Sequence, residues 1–240
     1  MKVALIGYGK MGREIEKVLV SRAHEVVLTI DINNAQDFTA KNLRKADVAI
    51  EFSAPDAAFG NIVRCLEAGV PVVCGTTAWL SKLDEVIQLC KKNEGAFFYA
   101  SNYSIGVNLF FKINRELAAL MNRFSEYDVT LNEIHHTQKR DAPSGTAITL
   151  AEGIVENCER KTEWFMGPTR GATTYPEKLE VTAQRRSVVP GTHTIVWESP
   201  ADTITIEHVA KNRSGFAVGA VVAAEFIVGK KGVFTMEDIL

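Results

Sequence analysis

The sequence predicts an α/β protein: a parallel sheet with helices on both faces, followed by a second unit of α+β type built on an open mixed or antiparallel sheet. Short apolar runs alternate with amphipathic stretches through about the first 100 residues. A glycine-rich turn joins the first run to the first amphipathic stretch. Beyond Asn102 the alternation stops, and later three strand-like runs follow one another directly.

Lys2 to Ile6 is apolar without alternation, as expected of a strand buried on both faces. Lys10 to Ser21 places Met11, Ile15, Val18 and Leu19 at helical spacing. Strands are expected at Glu25–Ile30, Ala46–Ser53, Pro71–Gly75 and Ala96–Ala100. Helices are expected at Asp56–Ala68 and Leu80–Lys92. Gly106 to Phe124 reads as a long amphipathic helix, Tyr127 to His135 as a strand, and Gly145 to Val155 as a helix. From Lys178 to Val209 come KLEVTAQRR, THTIVWES and DTITIEHV, three strands in succession. Gly215 to Val228 is a strongly apolar helix, suited to packing back on the first domain or to a subunit contact. No internal repeat or low-complexity segment is apparent.

The 240 residues carry 27 basic and 29 acidic side chains, a net charge of -2 that gives no footprint for nucleic acid. No run approaches the ~18 apolar residues of a membrane span. Four cysteines, Cys65, Cys74, Cys90 and Cys158, lack C-x-x-C spacing and read as reduced, buried thiols. Without a signal-peptide pattern, a soluble cytoplasmic protein is expected.

Gly7-Tyr8-Gly9-Lys10-Met11-Gly12 is G-x-G-x-x-G, placed between a strand and a helix. There the glycines permit a tight turn, close approach of a diphosphate and close helix–strand packing, and the helix start offers free N–H groups. Asp31 closes the second strand, about 20 residues on, where a carboxylate accepts from ribose hydroxyls. These features predict a dinucleotide site in a Rossmann-type domain. Asp31 disfavours a 2′-phosphate and no arginine follows it directly, so NADH is favoured over NADPH. Phe52-Ser53 and Gly75-Thr76-Thr77 end two later strands, where ligands of such sheets sit; ordinary turn chemistry is the other reading of both.

Glu133 to Ala147 is the densest run of reactive side chains and holds two of the five histidines, His135 and His136. Pro143-Ser144-Gly145-Thr146 looks like a helix start, a place that binds carboxylates. His135 suits proton transfer near neutral pH, and Lys139 suits stabilisation of developing negative charge. Taken singly, the same residues equally read as exposed histidines, a solvated basic step and a plain N-cap. The spacing is not H-E-x-x-H, and no metal is expected.

The run H-H-x-x-K-x-D-A-P-S-G-T-A, His135 to Ala147, resembles the signature of the dihydrodipicolinate reductase family. The resemblance extends over the whole chain. Gly7, Gly9, Met11, Gly12 and Arg13 are similar to the family's cofactor loop, and Phe52-Ser53 and Gly75-Thr76-Thr77 to its nicotinamide-side loops. Ser101-Asn102-Tyr103 through Asn108 is similar to its crossover between domains, and Gly191-x-His193, His208 and Phe216-Ala217-x-Gly219-Ala220 to its C-terminal pattern.

The resemblance implies an NADH- or NADPH-dependent reductase of a small dicarboxylate in lysine and diaminopimelate biosynthesis, assembled as a homotetramer. It implies a dinucleotide domain at 1–104 and 215–240, and an inserted substrate and tetramerisation domain at 105–214. It assigns His135 as the general acid, Lys139 as a catalytic and substrate contact, His136 as a carboxylate contact, and Ser144, Gly145 and Thr146 as the cradle for the other carboxylate. Tyr8, Lys10, Ser101, Asn102 and Tyr103 join the cofactor set. The chain departs from the family in four places. It is short after Cys158, Arg185 to Pro190 lacks the R-x-G-D run, Ala78 stands where glycine is usual, and Ile32 stands where many relatives carry arginine. An aspartate dehydrogenase, a sugar oxidoreductase or a non-enzymatic NAD(H)-sensing regulator would keep the glycine loop but make the 135–147 run coincidental.

Overall fold

The computed structural model describes residues 1–167, 175–212 and 214–240. The chain divides into two compact units, Met1–Ile105 with Ser214–Leu240, and Gly106–Arg213.

The first unit runs β1 (Lys2–Ile6), α1 (Lys10–Ser21), β2 (Glu25–Ile30), a short α2 (Ala40–Leu43), β3 (Val48–Glu51), α3 (Pro55–Glu67), β4 (Val72–Cys74), α4 (Leu83–Lys92) and β5 (Ala96–Tyr99). With a strand from the C-terminal tail, β11 (Gly232–Phe234), the sheet order is β11-β5-β4-β3-β1-β2, and every pairing is parallel. This sixth strand was not expected from the sequence. Its three residues are too few to show a period.

Alternate residues of β1 enter two different cores, as a strand covered on both faces requires. Ala4 and Ile6 pack with Ile62, Leu66 and Val86 of the α3 and α4 face. Val3 and Leu5 pack with Ile15 and Leu19 of α1 and with Ala220, Val221 and Ala224. The last three belong to α7 (Ser214–Ile227), which therefore returns to this unit. Gly219 makes that packing possible, since a Cβ there would lie 1.6 Å from the Tyr103 carbonyl oxygen.

The second unit holds α5 (Ile105–Met121, its first residue in the first unit), β6 (Asp128–His135), α6 (Gly145–Asn157), β7 (Glu163–Gly167), β8 (Lys178–Arg185), β9 (Thr192–Glu198) and β10 (Thr203–Val209). Its sheet order is β10-β9-β6-β8-β7. β6, β8 and β7 run parallel to one another, while β9 is antiparallel to β6 and β10. The sheet is thus mixed. The inner face buries Val129, Leu131, Val181, Ile195 and Trp197 against Phe110 and Ala118 of α5 and Leu150, Ala151 and Ile154 of α6. Toward the C-terminal end of β6 the same face turns polar. Glu133 pairs with His193, His135 with Arg185, and His193 with His208 across adjacent strands.

Candidate active site

In the first unit the loop after β1 is shaped by close approach. Gly7 has φ +92°, and a Cβ there would lie 2.1 Å from the Phe52 carbonyl oxygen. A Cβ at Gly12 would lie 2.3 Å from the Gly7 carbonyl oxygen, which lets α1 start tight against the turn. Gly9 differs: nothing lies within 4 Å of a Cβ built there. It caps α1 without a side-chain hydrogen bond, and the first turn of α1 holds no acidic residue. The free amides of that turn therefore stand unshielded at the positive end of the helix. Backbone and charge together fit a dinucleotide diphosphate. Lys10 is exposed and Met11 half-buried at this start, and Tyr8 donates to Glu16 beneath the Arg13 guanidinium.

The two later loops are joined. The Ser53 amide donates to Thr76 Oγ1 at 2.8 Å, and the Phe52 ring fills the place a Cβ of Gly75 would take, 2.0 Å away. Thr77 is exposed beside them. Asp31 is half-buried and caps the turn Ile32–Asp37: its carboxylate accepts from the Ile32 amide at 2.6 Å, and its own amide donates to Asn34. Ser101 is exposed, and Asn102 accepts from the Ser104 amide. Tyr103 is 2% exposed, with its hydroxyl donating to the Cys74 carbonyl at 2.7 Å, so its ring supports the loop from within. Sequence reasoning missed Glu51. Its fully buried carboxylate accepts from Ser53 Oγ, from Asn61 Nδ2 at 3.2 Å and from the Cys74 thiol at 3.2 Å, tying together the ends of β3 and β4. Burial and the Glu51 charge push the Cys74 thiol far up, so it stays protonated as a donor.

In the second unit His135, Lys139, Ser144, Gly145 and Thr146 come together at the end of β6 and the start of α6. His135 is buried on the inner face, and His136, the first residue past the end of β6, is half-buried. The His135 ring abuts Gly191, where a Cβ would lie 2.9 Å from its Nε2. Its Nδ1 faces the Glu133 carboxylate at 3.4 Å. Lys139 holds both oxygens of Asp141, at 2.8 and 2.7 Å. Arg185 straps this loop to the sheet, donating to the carbonyls of Lys139 and Asp141 and to Glu133 Oε1 at 3.1 Å.

Ser144 is spent inside the protein. Its amide donates to Glu133 Oε2 at 3.0 Å, and its hydroxyl accepts from the Ala147 amide and meets His193 Nε2 at 3.2 Å. The amides of Gly145 and Thr146, next in the first turn, have no intrahelical acceptor, and Gly145 is exposed. The open amides of this helix start are therefore those of Gly145 and Thr146, with Ser144 holding its shape. Glu133 is the centre that sequence reasoning left without a role. Burial raises its carboxyl, but the facing His135 and His193 rings and the Ser144 amide outweigh this and hold it well below the usual carboxylate range.

Among the described residues one group has metal-ligand chemistry: Glu133, His135 and His193, whose ligand atoms lie within 4.8 Å of one another. A cation there would have to displace the Ser144 amide from Glu133 Oε2 and sit beside the Arg185 guanidinium on Oε1. The carboxylate is already saturated by donors, so the group reads as a hydrogen-bonded charge cluster.

Comparison with known proteins accords with this geometry. Residues 1–103 match the family model for the dihydrodipicolinate reductase N-terminus, and residues 106–240 that for its C-terminus. The 4-hydroxy-tetrahydrodipicolinate reductase of Christiangramia forsetii is 46% identical, over 100% of this chain and 98% of its own. That of Methanosarcina mazei is 36% identical, over 99% and 88%. Among solved structures, the dipicolinate-bound dihydrodipicolinate reductase from Paenisporosarcina sp. TG-14 superposes with a TM-score of 0.82 at 25% identity, covering 100% of this chain and 99% of that one. A probable dehydrogenase from Thermotoga maritima, 11% identical with a TM-score of 0.56 over 99% of this chain and 92% of its own, shares the fold alone.

Proposed function

This chain belongs to the dihydrodipicolinate reductase family, and from that premise we propose how its residues divide the reaction. The activity is NAD(P)H-dependent reduction of 4-hydroxy-tetrahydrodipicolinate, the hydrated form of dihydrodipicolinate, in lysine and diaminopimelate biosynthesis.

The first unit, 1–104 with 215–240 by sequence, holds the cofactor: Gly7 to Gly12 at the diphosphate, Asp31 at the adenine ribose, and Phe52, Ser53, Gly75, Thr76, Thr77, Ser101 and Asn102 toward the nicotinamide. Tyr103 acts from behind these loops. When bound, the cofactor supplies a hydride. The second unit, 105–214, holds the dicarboxylate. Gly145 and Thr146 donate amides to one carboxylate at the start of α6, and His136 meets the other. Once the 4-hydroxyl has left as water, His135 delivers a proton to the ring carbon that becomes anionic as hydride arrives. Lys139 leaves Asp141 for the substrate. That exchange trades one carboxylate for another at an ion pair whose acid is 59% exposed, so it costs little.

The observation that carries this reading is the convergence of His135, Lys139 and the open amides of α6 at one end of β6. The cofactor is NADH in preference to NADPH, on the Asp31 carboxylate and the absence of arginine at Ile32. The enzyme is cytoplasmic and tetrameric in this reading. The test is NAD(P)H oxidation on addition of freshly made dihydrodipicolinate, with aspartate as the competing substrate. Turnover with aspartate alone, or cofactor binding with no turnover, would replace the reading.

A further inference from the structure

Glu133 is fully buried, yet four groups from four places converge on its carboxylate. His135 Nδ1 comes from the same strand at 3.4 Å, and His193 Nε2 from β9 at 3.7 Å. Arg185 comes from β8 and the Ser144 amide from the start of α6. A buried carboxylate is costly unless its charge is used or compensated. The His135 and His193 rings meet edge to face with centroids 5.1 Å apart, so each narrows the other's freedom.

We propose that Glu133 is the positioning residue for the acid His135: it fixes the ring through Nδ1, leaving Nε2 for proton delivery, and supplies the counter-charge for the imidazolium. This rests on His135 being the proton donor, as set out above. Nε2 is the nitrogen beside Gly191, where the absence of a side chain keeps the ring edge clear. Nδ1 is buried with no hydrogen-bond partner at full geometry, which leaves Glu133 as its one facing acceptor among the described residues. At 3.4 Å the contact is longer than a full hydrogen bond, and a charge on the ring draws the two groups together.

The same carboxylate also holds the Ser144 amide. Acid and carboxylate cradle are thus registered on one anchor, and a displacement of the ring relative to the cradle requires Glu133 to move. The other charges facing this group are Arg185 from β8, His193 from β9 with His208 behind it on β10, and the Lys139–Asp141 pair in the loop. Arg185 opposes the imidazolium electrostatically, and Glu133 stands between the two.

The test is the pH dependence of kcat/KM in Glu133→Gln and Glu133→Asp. Removing an adjacent negative charge disfavours the protonated acid. In Glu133→Gln the high-pH limb should therefore move to lower pH by about one unit or more, with kcat down on the order of 30-fold and the KM for cofactor unmoved. Glu133→Asp keeps the charge on a shorter stem, so kcat falls while the limb stays near its wild-type position. A limb unmoved in Glu133→Gln, or moved equally in both variants, overturns the proposal and leaves Glu133 a structural residue.

A measurement on the unaltered enzyme guards against a variant that does not fold. With ¹⁵N-labelled histidine, a downfield Nδ1 proton should appear at low pH and vanish in His135→Gln; its absence also overturns the proposal. If the wild type fails to turn over dihydrodipicolinate at all, the functional reading fails, whatever this resonance shows.

Discussion

At the scale of single residues, His135 and Lys139 should govern chemistry more than binding. His135→Gln or Lys139→Ala should lower kcat ~100-fold or more, the scale of losing a positioned acid or charge. Steady-state kinetics on variants with unchanged circular dichroism checks this, and near-normal kcat in both would move the chemistry elsewhere. These side chains were legible because a histidine pair, a lysine and a helix start fall within one short run. Glu133, Arg185 and His193 were not, because their meaning is a strand register that sequence spacing does not carry. Cofactor choice also belongs here. A carboxylate and a phosphate at close range near a surface repel by about 1 kcal/mol or more. Asp31→Ser with Ile32→Arg removes that repulsion and adds a phosphate partner, and should shift the ratio of kcat/KM values toward NADPH by roughly tenfold or more. Ile32 is 89% exposed, so an arginine fits without disturbing the core. A wild type that already prefers NADPH strongly would show that Asp31 does not act at the ribose.

At the scale of elements, the structure explains two departures from the family pattern. Ala78, where glycine is usual, has φ +63°, and Ser187, at the third position of the run that replaces R-x-G-D, has φ +41°. Each residue puts a Cβ on a left-handed backbone, at a cost of roughly 1–2 kcal/mol. Long periodic elements such as α1 and α6 were legible from apolar spacing. β7 and β11, of five and three residues, were not, because each is an edge strand with no fully buried residue to mark its period. The start of α6 sets a further prediction. Thr146 is half-buried in its first turn, next to the open Gly145 amide. Thr146→Val keeps the shape and removes the hydroxyl. The KM for substrate should rise several-fold while that for NADH stays constant. Equal weakening of both would point to a change in folding instead. Ser144→Ala behaves differently, because that hydroxyl caps the helix: thermal unfolding should show a loss of about 1 kcal/mol.

At the scale of the whole molecule, the described helices of the second unit pack on one face of its sheet. The inner face packs on α5 and α6, whereas the outer face presents Thr130, Asn132, Ile134, Thr182, Gln184, Thr192, Thr194, Val196 and Thr205. Two acids share this face, Glu180 beside Thr130 and Glu207 beside Thr194, the latter accepting from Thr194 Oγ1 at 2.8 Å, while its apolar members Ile134 and Val196 join no core cluster. Asn132 Oδ1 is shielded on it without a hydrogen-bond partner, an acceptor placed to meet a donor from outside the unit. A flat sheet of threonine, valine and isoleucine packs well on a second sheet about 10 Å away. The family resemblance implies a homotetramer, and the predicted subunit contact is this outer sheet face against its counterpart in another copy. Light scattering coupled to gel filtration should give the mass of four 240-residue chains. Ile134→Lys with Val196→Lys places like charges on the facing sheets and should produce a lighter species. The inner core is untouched by these changes, so the unit itself stays folded. A wild type that elutes as a monomer, or a double variant that keeps the tetramer mass, would place the subunit contact on another surface.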